Sequence, residues 1–309
     1  MTLALEFLVV GISILVIAKS ANWVVNSAAK IAFRFRVSQL VIGLTIVAFG
    51  TSAPEFAVSL NAALRGIGNI AVANVVGSNI FNLCLILGLC AIVRPVKATR
   101  KLVWRDCVFL LLGTLLLSSF IFNLTIGRAE GIILFSCLIL YVGFLYWKKE
   151  APEEAEIPAE KAKWFDAISL VIGLAGIIGG AHLLVSSSVT IARAVGISEW
   201  AIGVTLVAFG TSVPELAVSV TAAIKKRYAI SAGNLIGSDI FNMFGVVGFA
   251  GILTRMSFDI AARVDVFILV GVVGLVLVFM RTGWTVSRKE GLFLILIGVI
   301  RWYQLLVLG

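Results

Sequence analysis

Charge is scarce in this chain. Of its 309 residues only 13% are Asp, Glu, Lys or Arg, against about 25% in an average soluble domain. With 61% apolar residues beside that deficit, an ordinary water-soluble enzyme is excluded. Histidine is nearly missing as well. His182 stands alone, far from the polar motifs described below, which leaves an intramembrane hydrolase without its nucleophile–base pair. The four cysteines, Cys84, Cys90, Cys107 and Cys137, form no CxxC pair and sit in apolar sequence. They read as small packing residues, not as a disulfide frame or a metal site. The marks of a signal peptide are absent too. The first apolar stretch opens at Leu3 with no basic n-region and no evident cleavage site, and reads as a retained first helix.

What the chain does contain is apolar sequence in long runs. Ten segments stand out: 3–25, 38–64, 67–92, 106–122, 126–147, 165–189, 196–224, 229–254, 262–280 and 285–307. A membrane-spanning helix takes about 20 mostly apolar residues, so the chain has room for ten. The formal charge of +9 comes from basic residues between these segments, where loop orientation explains it without a nucleic-acid partner. One long polar stretch, Lys148–Lys163, carries two prolines and five glutamates and reads as a solvated linker. The expected organisation is a first five-segment unit over 1–148, a linker over 149–164 and a second unit over 165–309.

The two units repeat one another. Residues 41–62 align without gaps with 201–222 and match at 15 of 22 positions. At the same offset of 160, GSNIFN (77–82) matches GSDIFN (237–242) at five of six. Shared membrane composition accounts for matching Leu and Val, not for matching Thr, Ser, Pro and Glu. An odd number of spans per unit gives the two units opposite orientations. The connections after segments 1, 3, 5, 7 and 9, counted with the segment ends beside them, carry 18 Lys and Arg and the others carry 5. The positive-inside rule then expects the first set, including the linker, in the cytoplasm and both termini outside. An inverted repeat is a transporter architecture, with the substrate site near the midplane between the halves.

Four segments carry polar stripes at i, i+4, i+8, which is one helical face: Thr51, Glu55, Ser59; Asn74, Ser78, Asn82; Thr211, Glu215, Ser219; and Asn234, Ser238, Asn242. Ser and Asn alone would be helix–helix glue. The two glutamates are different, because an ionised carboxylate near mid-span costs several kcal/mol unless compensated. No Lys or Arg lies in these stretches, so protons or bound cations must supply the charge. Pro54 and Pro214 precede the glutamates and lack the N–H that would bond the carbonyls of Gly50 and Gly210. An all-oxygen donor set of carboxylate, hydroxyl, amide and carbonyl suits hard cations, Ca²⁺ above all. Two carboxylates neutralise either one Ca²⁺ or two monovalent ions, so occupancy by one excludes the other.

The paired GTSxPE and GSxxFN elements (Gly50–Glu55 with Gly77–Asn82, Gly210–Glu215 with Gly237–Asn242) resemble the cation/Ca²⁺ antiporter superfamily, and within it the prokaryotic sodium/calcium exchangers, over essentially the whole chain. The resemblance implies an all-α protein of ten transmembrane helices, arranged as two inverted five-helix repeats with helices 2, 3, 7 and 8 broken. Glu55 and Glu215 would be the central carboxylates, with the Thr51 and Thr211 carbonyls completing a Ca²⁺ site. Sodium would use Glu55, Ser52, Ser78 and the Ala48 carbonyl on one side and Glu215, Ser212, Ser238 and the Ala208 carbonyl on the other. Thr51 and Thr211 border both sodium positions, and Asn82 and Asn242 close the middle. Segments 1 and 6 would slide across a fixed core.

The implied activity is exchange of Na⁺ for Ca²⁺ in the cell membrane, by a monomer without a tightly bound cofactor. Ca²⁺/H⁺ antiport is the alternative, since a buried glutamate can itself carry a proton, and the serine hydroxyls beside each glutamate favour sodium. Some relatives have an acid where this chain has Asn242. Asp239 stands where the first repeat has Asn79, about 100° off the stripe. It reads as hydrogen-bonded in packing or as a peripheral proton or ion site. His182 reads as a polar packing residue, and the Gly176/Gly180 spacing as close helix packing within the chain.

Overall fold

The computed structural model describes residues 3–148, 163–197, 202, 206 and 208–308. Leu-, Val- and Ile-rich sequence with few interior breakers makes almost all of it helical. The helices are α1 (Leu3–Arg34), α2 (Gln39–Thr51), α3 (Ala53–Leu64), α4 (Gly68–Val93), α5 (Leu102–Asn123) and α6 (Arg128–Trp147). They continue with α7 (Trp164–Ala194), α8 (Ala208–Thr211), α9 (Val213–Ile224), α10 (Tyr228–Leu253), α11 (Ile260–Arg281) and α12 (Arg288–Leu308). Among the described residues seven helices are long and apolar enough to cross a membrane, or eight when α2 and α3 count as one bent span. The expected segment 196–224 falls partly outside the described residues, as does nearly all of the 149–164 linker.

Several boundaries differ from the hydropathy pattern. α1 runs to Arg34, well past residue 25, because Ala28, Ile31 and Ala32 remain buried against the neighbouring helices. α7 likewise continues to Ala194. Segments 2 and 7 are interrupted as expected, at Ser52 and Ser212, and α2 and α3 meet at 51°. The expectation that helices 3 and 8 are broken fails. α4 and α10 are continuous and absorb their irregularity as π-helical stretches, Asn82–Ile86 and Phe241–Val247. Neither contains a proline, so no backbone donor is lost, and one wide turn takes up the misfit without a break.

α4 and α10 are the interior helices, with 78% and 83% of their most apolar windows buried against 22–44% in the other long spans. Around them the repeat is visible in the packing. A Cβ at Gly88 on α4 would fall 2.7 Å from the Gly291 carbonyl of α12. At the equivalent crossing, one at Gly131 on α6 would fall 2.7 Å from the Gly248 carbonyl of α10. Only glycine lets backbones approach this closely. α1 and α7 lie along each other, with Gly173, Gly176 and Gly180 facing Val24, Ser20 and Ile17, so the GxxxG spacing is used inside the chain. Arg301, a basic residue within a span, is ion-paired to Asp265 of α11, and Lys19 lies over the Trp23 ring. His182 is exposed on α7, which corrects its reading as a packing residue: the buried face of that helix is the small-residue side at Gly173, Ile177, Gly180 and Ala181.

Four two-residue strands tie the ends together. β1 (Val96–Lys97) pairs antiparallel with β4 (Thr285–Val286), and β2 (Thr125–Ile126) with β3 (Met256–Ser257). The Ala98 amide donates to the Trp284 carbonyl, and the Phe258 amide to that of Leu124, each at 2.9 Å. Between β1 and β2 stands α5, and between β3 and β4 stands α11. Each has 22 residues, or about 33 Å of helix.

Candidate ion-binding centre

The two interruptions create the site. α2 ends at Thr51, Ser52 leaves helical geometry at φ −81°, ψ 6°, and α3 starts with Pro54 and Glu55 in its first turn. Ser212, at φ −90°, ψ 4°, separates α8 from α9, which starts with Pro214 and Glu215 in the same way. Proline is tolerated there because the first-turn amides have no intrahelical acceptor. Each glutamate therefore sits at a half-helix N-terminus, where the helix dipole favours its carboxylate.

Glu55, Glu215, Thr51, Ser52, Ser78, Ser212, Ser238, Asn82 and Asn242 are all buried, both glutamates completely. Glu55 Oε1 accepts from Ser78 Oγ of α4 at 3.1 Å and from Ser212 Oγ at 3.3 Å. Glu215 Oε1 accepts from Ser238 Oγ of α10 at 3.3 Å and from Ser52 Oγ at 3.0 Å. Ser52, expected beside Glu55, thus bonds Glu215, and Ser212, expected beside Glu215, bonds Glu55. The break between half-helices turns each serine across the centre, and the two repeats trade hydroxyls. Ser78 and Ser212 are themselves 2.9 Å apart. Thr51 Oγ1 lies 3.3 Å from Ser238 Oγ, and its single hydroxyl hydrogen has two acceptors within reach, Asn234 Oδ1 at 3.1 Å and the Ala48 carbonyl at 3.2 Å.

Both Oε2 atoms, Glu55's and Glu215's, are buried without a hydrogen-bond partner. Serine hydroxyls, joined at Glu215 by that of Thr51, are the side-chain partners of these carboxyls, and among the described residues no basic group is paired with either. Burying an ion in this way without compensation costs several kcal/mol.

The remaining expected residues fall in two groups. Ala48 opens the last turn of α2, and Ala208 and Thr211 begin and end α8, so their carbonyls belong to the same interruptions. Asn82 and Asn242 do not bond the glutamates. Asn82 Nδ2 donates to Asp239 Oδ1 at 2.9 Å, and Asn242 Nδ2 to Asn79 Oδ1 at 3.0 Å. Asp239 is thus joined to the middle residues despite standing off the stripe. The sequence signal for that contact was the Asn79/Asp239 mismatch in the GSxxFN repeat. Sequence reasoning missed the outer supports, Asn74 Nδ2 to Ser59 Oγ at 2.9 Å and Asn234 Nδ2 to Ser219 Oγ at 3.0 Å. Both pairs lie within the polar stripes, and their partnership depends on how α3 packs on α4 and α9 on α10.

The repeats differ in their cover. On α3, Ala53, Ala57 and Val58 are exposed, whereas on α9 the equivalent Val213 and Val218 are buried. Ile17 of α1 and Ala181 of α7 pack with Val213.

Apolar helices long enough to span a bilayer, with a buried polyoxygen centre between interrupted helices, define an integral membrane protein of the ion-transport class. The profile of the sodium/calcium exchanger protein family matches residues 5–147 and 165–302. The chain belongs to that family, a family of cation/Ca²⁺ antiporters and not of enzymes. It is 39% identical over 271 residues to the putative antiporter CaxA of Alkalimonas amylolytica, covering 85% of this chain and 84% of that protein. It is 32% identical over 299 residues to the sodium/calcium exchanger MaX1 of Methanosarcina acetivorans, covering 82% and 85%. Its fold is similar to that of the sodium-calcium exchanger NCX_Mj, with a TM-score of 0.86 and 30% identity over 97% of this chain and 98% of that one.

Proposed function

We propose that this antiporter exchanges Na⁺ for Ca²⁺ by alternating access at one central site. The observation that carries the reading is the pair of fully buried glutamates whose Oε2 atoms are unpartnered and whose side-chain partners, among the described residues, are serine and threonine hydroxyls. Glu55 and Glu215, with the Thr51 and Thr211 carbonyls, bind Ca²⁺. When Na⁺ replaces it, Ser78 and Ser212 with the Ala48 carbonyl serve Glu55. Ser52 and Ser238 with the Ala208 carbonyl serve Glu215. Two carboxylates neutralise one divalent ion or two monovalent ions, and competition for them couples the fluxes.

The architecture in this reading is ten transmembrane helices in two inverted five-helix repeats, 1–148 and 165–309, with 149–164 as a cytoplasmic linker. The strand pairing supports the inversion. β1 corresponds by repeat to β3, yet pairs with β4, and a 22-residue helix separates β3 from β4. Equivalent strands thus sit at opposite ends of the bundle. The 18-to-5 basic bias places both termini outside the cytoplasm, in the cell membrane. The exposed α3 and covered α9 then correspond to a site open outward, and movement of α1 and α7 from α9 toward α3 reverses the access. One chain holds the whole site, so a monomer suffices.

Ca²⁺/H⁺ antiport is the second reading, favoured by the same unpartnered glutamate oxygens, since a proton satisfies one as a cation does. Uptake of ⁴⁵Ca²⁺ into proteoliposomes under an imposed Na⁺ gradient, against an imposed pH gradient, separates the two. The sodium reading expects the Na⁺ gradient to drive uptake and a pH gradient alone to leave it at background. The opposite result assigns H⁺.

A further inference from the structure

Lys225 caps the C-terminal end of α9, and its Nζ donates to Asn26 Oδ1 of α1 at 2.8 Å. This bond crosses between two bodies. α1 is packed along α7 through Gly173, Gly176 and Gly180, and one turn beyond Asn26 the Lys30 ammonium pairs with Asp166 of α7 at 3.5 Å. Those contacts lie within the α1–α7 pair and travel with it. α9 instead carries Glu215 in its first turn and belongs to the site. Lifting α1 from α9 therefore breaks the Lys225–Asn26 bond and keeps the Lys30–Asp166 pair.

The other half of the chain holds the counterparts unjoined. At the offset of 160, Lys225 corresponds to Arg65, which caps α3, and Asn26 to Ser186 of α7. Arg65 is exposed and, among the described residues, its guanidinium has no partner. Ser186 Oγ donates back to the Leu183 carbonyl at 3.1 Å. Each half-helix thus ends in a cation, and each long helix offers a side-chain oxygen at the matching position, but one end alone is closed. The helix dipole favours a cation at either cap, yet it asks nothing of Asn26. An inverted repeat exchanges the conformations of its halves when access reverses. α7 then lies on α3 as α1 lies on α9 here, which brings the Ser186 hydroxyl to Arg65.

We propose that Lys225 and Asn26 form a latch that holds α1 on α9, and that Arg65 and Ser186 form the opposite latch once access has reversed, an inference that rests on the alternating-access reading above. Lys225 and Arg65 are positioning residues: they set the ratio of the two states without touching the ion. A bond present in one state alone shifts the equilibrium by its own free energy. For a hydrogen bond at this exposure the shift is about three- to tenfold.

The test reads both faces of purified protein with a thiol reagent. One reporter is Ala53→Cys on the exposed side of α3, and the other, in a separate chain, is Val213→Cys, buried against Ile17 and Ala181. Both carry Cys137→Ala, so that the native cysteines left are buried. We expect Lys225→Met to raise labelling of the Val213 reporter about three- to tenfold and to lower that of the Ala53 reporter. Arg65→Met should do the reverse. Asn26→Ala should reproduce Lys225→Met, and the two together should not exceed either one; each decides alone should the other not fold. Unchanged labelling overturns the proposal. So does a rise at both reporters, the mark of a protein merely loosened, and so do shifts of the same sign in Lys225→Met and Arg65→Met. With both latches intact, a Val213 reporter that reacts as fast as the Ala53 reporter overturns the assignment of the covered face itself, a separate result.

Discussion

The Ser52 hydroxyl donates to Glu215 at 3.0 Å, a carboxylate 163 residues away, although Glu55 lies three residues along its own chain. Ser212 repeats the exchange with Glu55. Each glutamate is therefore held by one hydroxyl from the neighbouring interior helix and one from the opposite repeat. Neither half of the chain contains a complete set.

That geometry makes a distinctive prediction for pairs of substitutions. Ser78 and Ser212 share Glu55 Oε1 and touch each other, whereas Ser78 and Ser52 serve different glutamates. Ser78→Ala combined with Ser212→Ala should be non-additive in the Na⁺ half-saturation of Ca²⁺ flux, by about 0.5–3 kcal/mol, while Ser78→Ala with Ser52→Ala should approach additivity. Equal coupling in both pairs would contradict the crossed arrangement.

Removing either central charge should stop the cycle. Glu55→Gln and Glu215→Gln keep the shape of the side chain but leave a divalent ion half-neutralised at low dielectric. Each should abolish ⁴⁵Ca²⁺ transport in proteoliposomes while the protein elutes as a monodisperse, folded species. Wild-type flux in either variant would sink the proposed site.

A cysteine placed in the 150–163 linker tests the orientation. It should resist membrane-impermeant thiol reagents in intact cells and react once the membrane is opened. The native cysteines give little background, since Cys84, Cys90 and Cys107 are buried. Labelling from outside would invert the topology.

The α1–α7 contact is close enough to be probed by a single side chain. A Cβ at Gly180 would fall 2.7 Å from Ile17 Cγ1, so Gly180→Val must displace the helices. We expect a loss of about 1–3 kcal/mol, as overpacking generally costs, seen as a lower melting temperature in detergent. Gly179→Val, with open space around it, should melt near wild type. Equal melting of both variants would mean the interface yields.

Transport should be independent of K⁺. Asn242 contributes an amide and no charge, so it adds no further carboxylate for a third cation at that place. Asn242→Asp should weaken Na⁺-driven Ca²⁺ flux and introduce dependence on K⁺ or pH. Comparing flux with and without K⁺ in both proteins is the measurement. A K⁺ requirement in the unmodified chain would remove Asn242 as the selectivity position.

Much of this protein is legible one residue at a time. Apolar runs with a charge deficit place it in a membrane, because hydration cost is local and additive. The offset of 160 exposes the duplication, and two prolines before two glutamates mark the interrupted helices, because a missing N–H acts within one turn. The same local logic overreached at α4 and α10, where a π-helical turn keeps the helix continuous and no residue type announces it. Which hydroxyl meets which carboxylate was beyond it altogether. Ser52 and Glu55 are neighbours in sequence, but the 51° bend at Ser52 sends the serine to the other repeat. The unequal cover of Ala53 and Val213 is likewise invisible in two nearly identical stretches. It depends on where α1 and α7 lie, and that is a property of packing between distant segments that near-identical local sequences cannot encode.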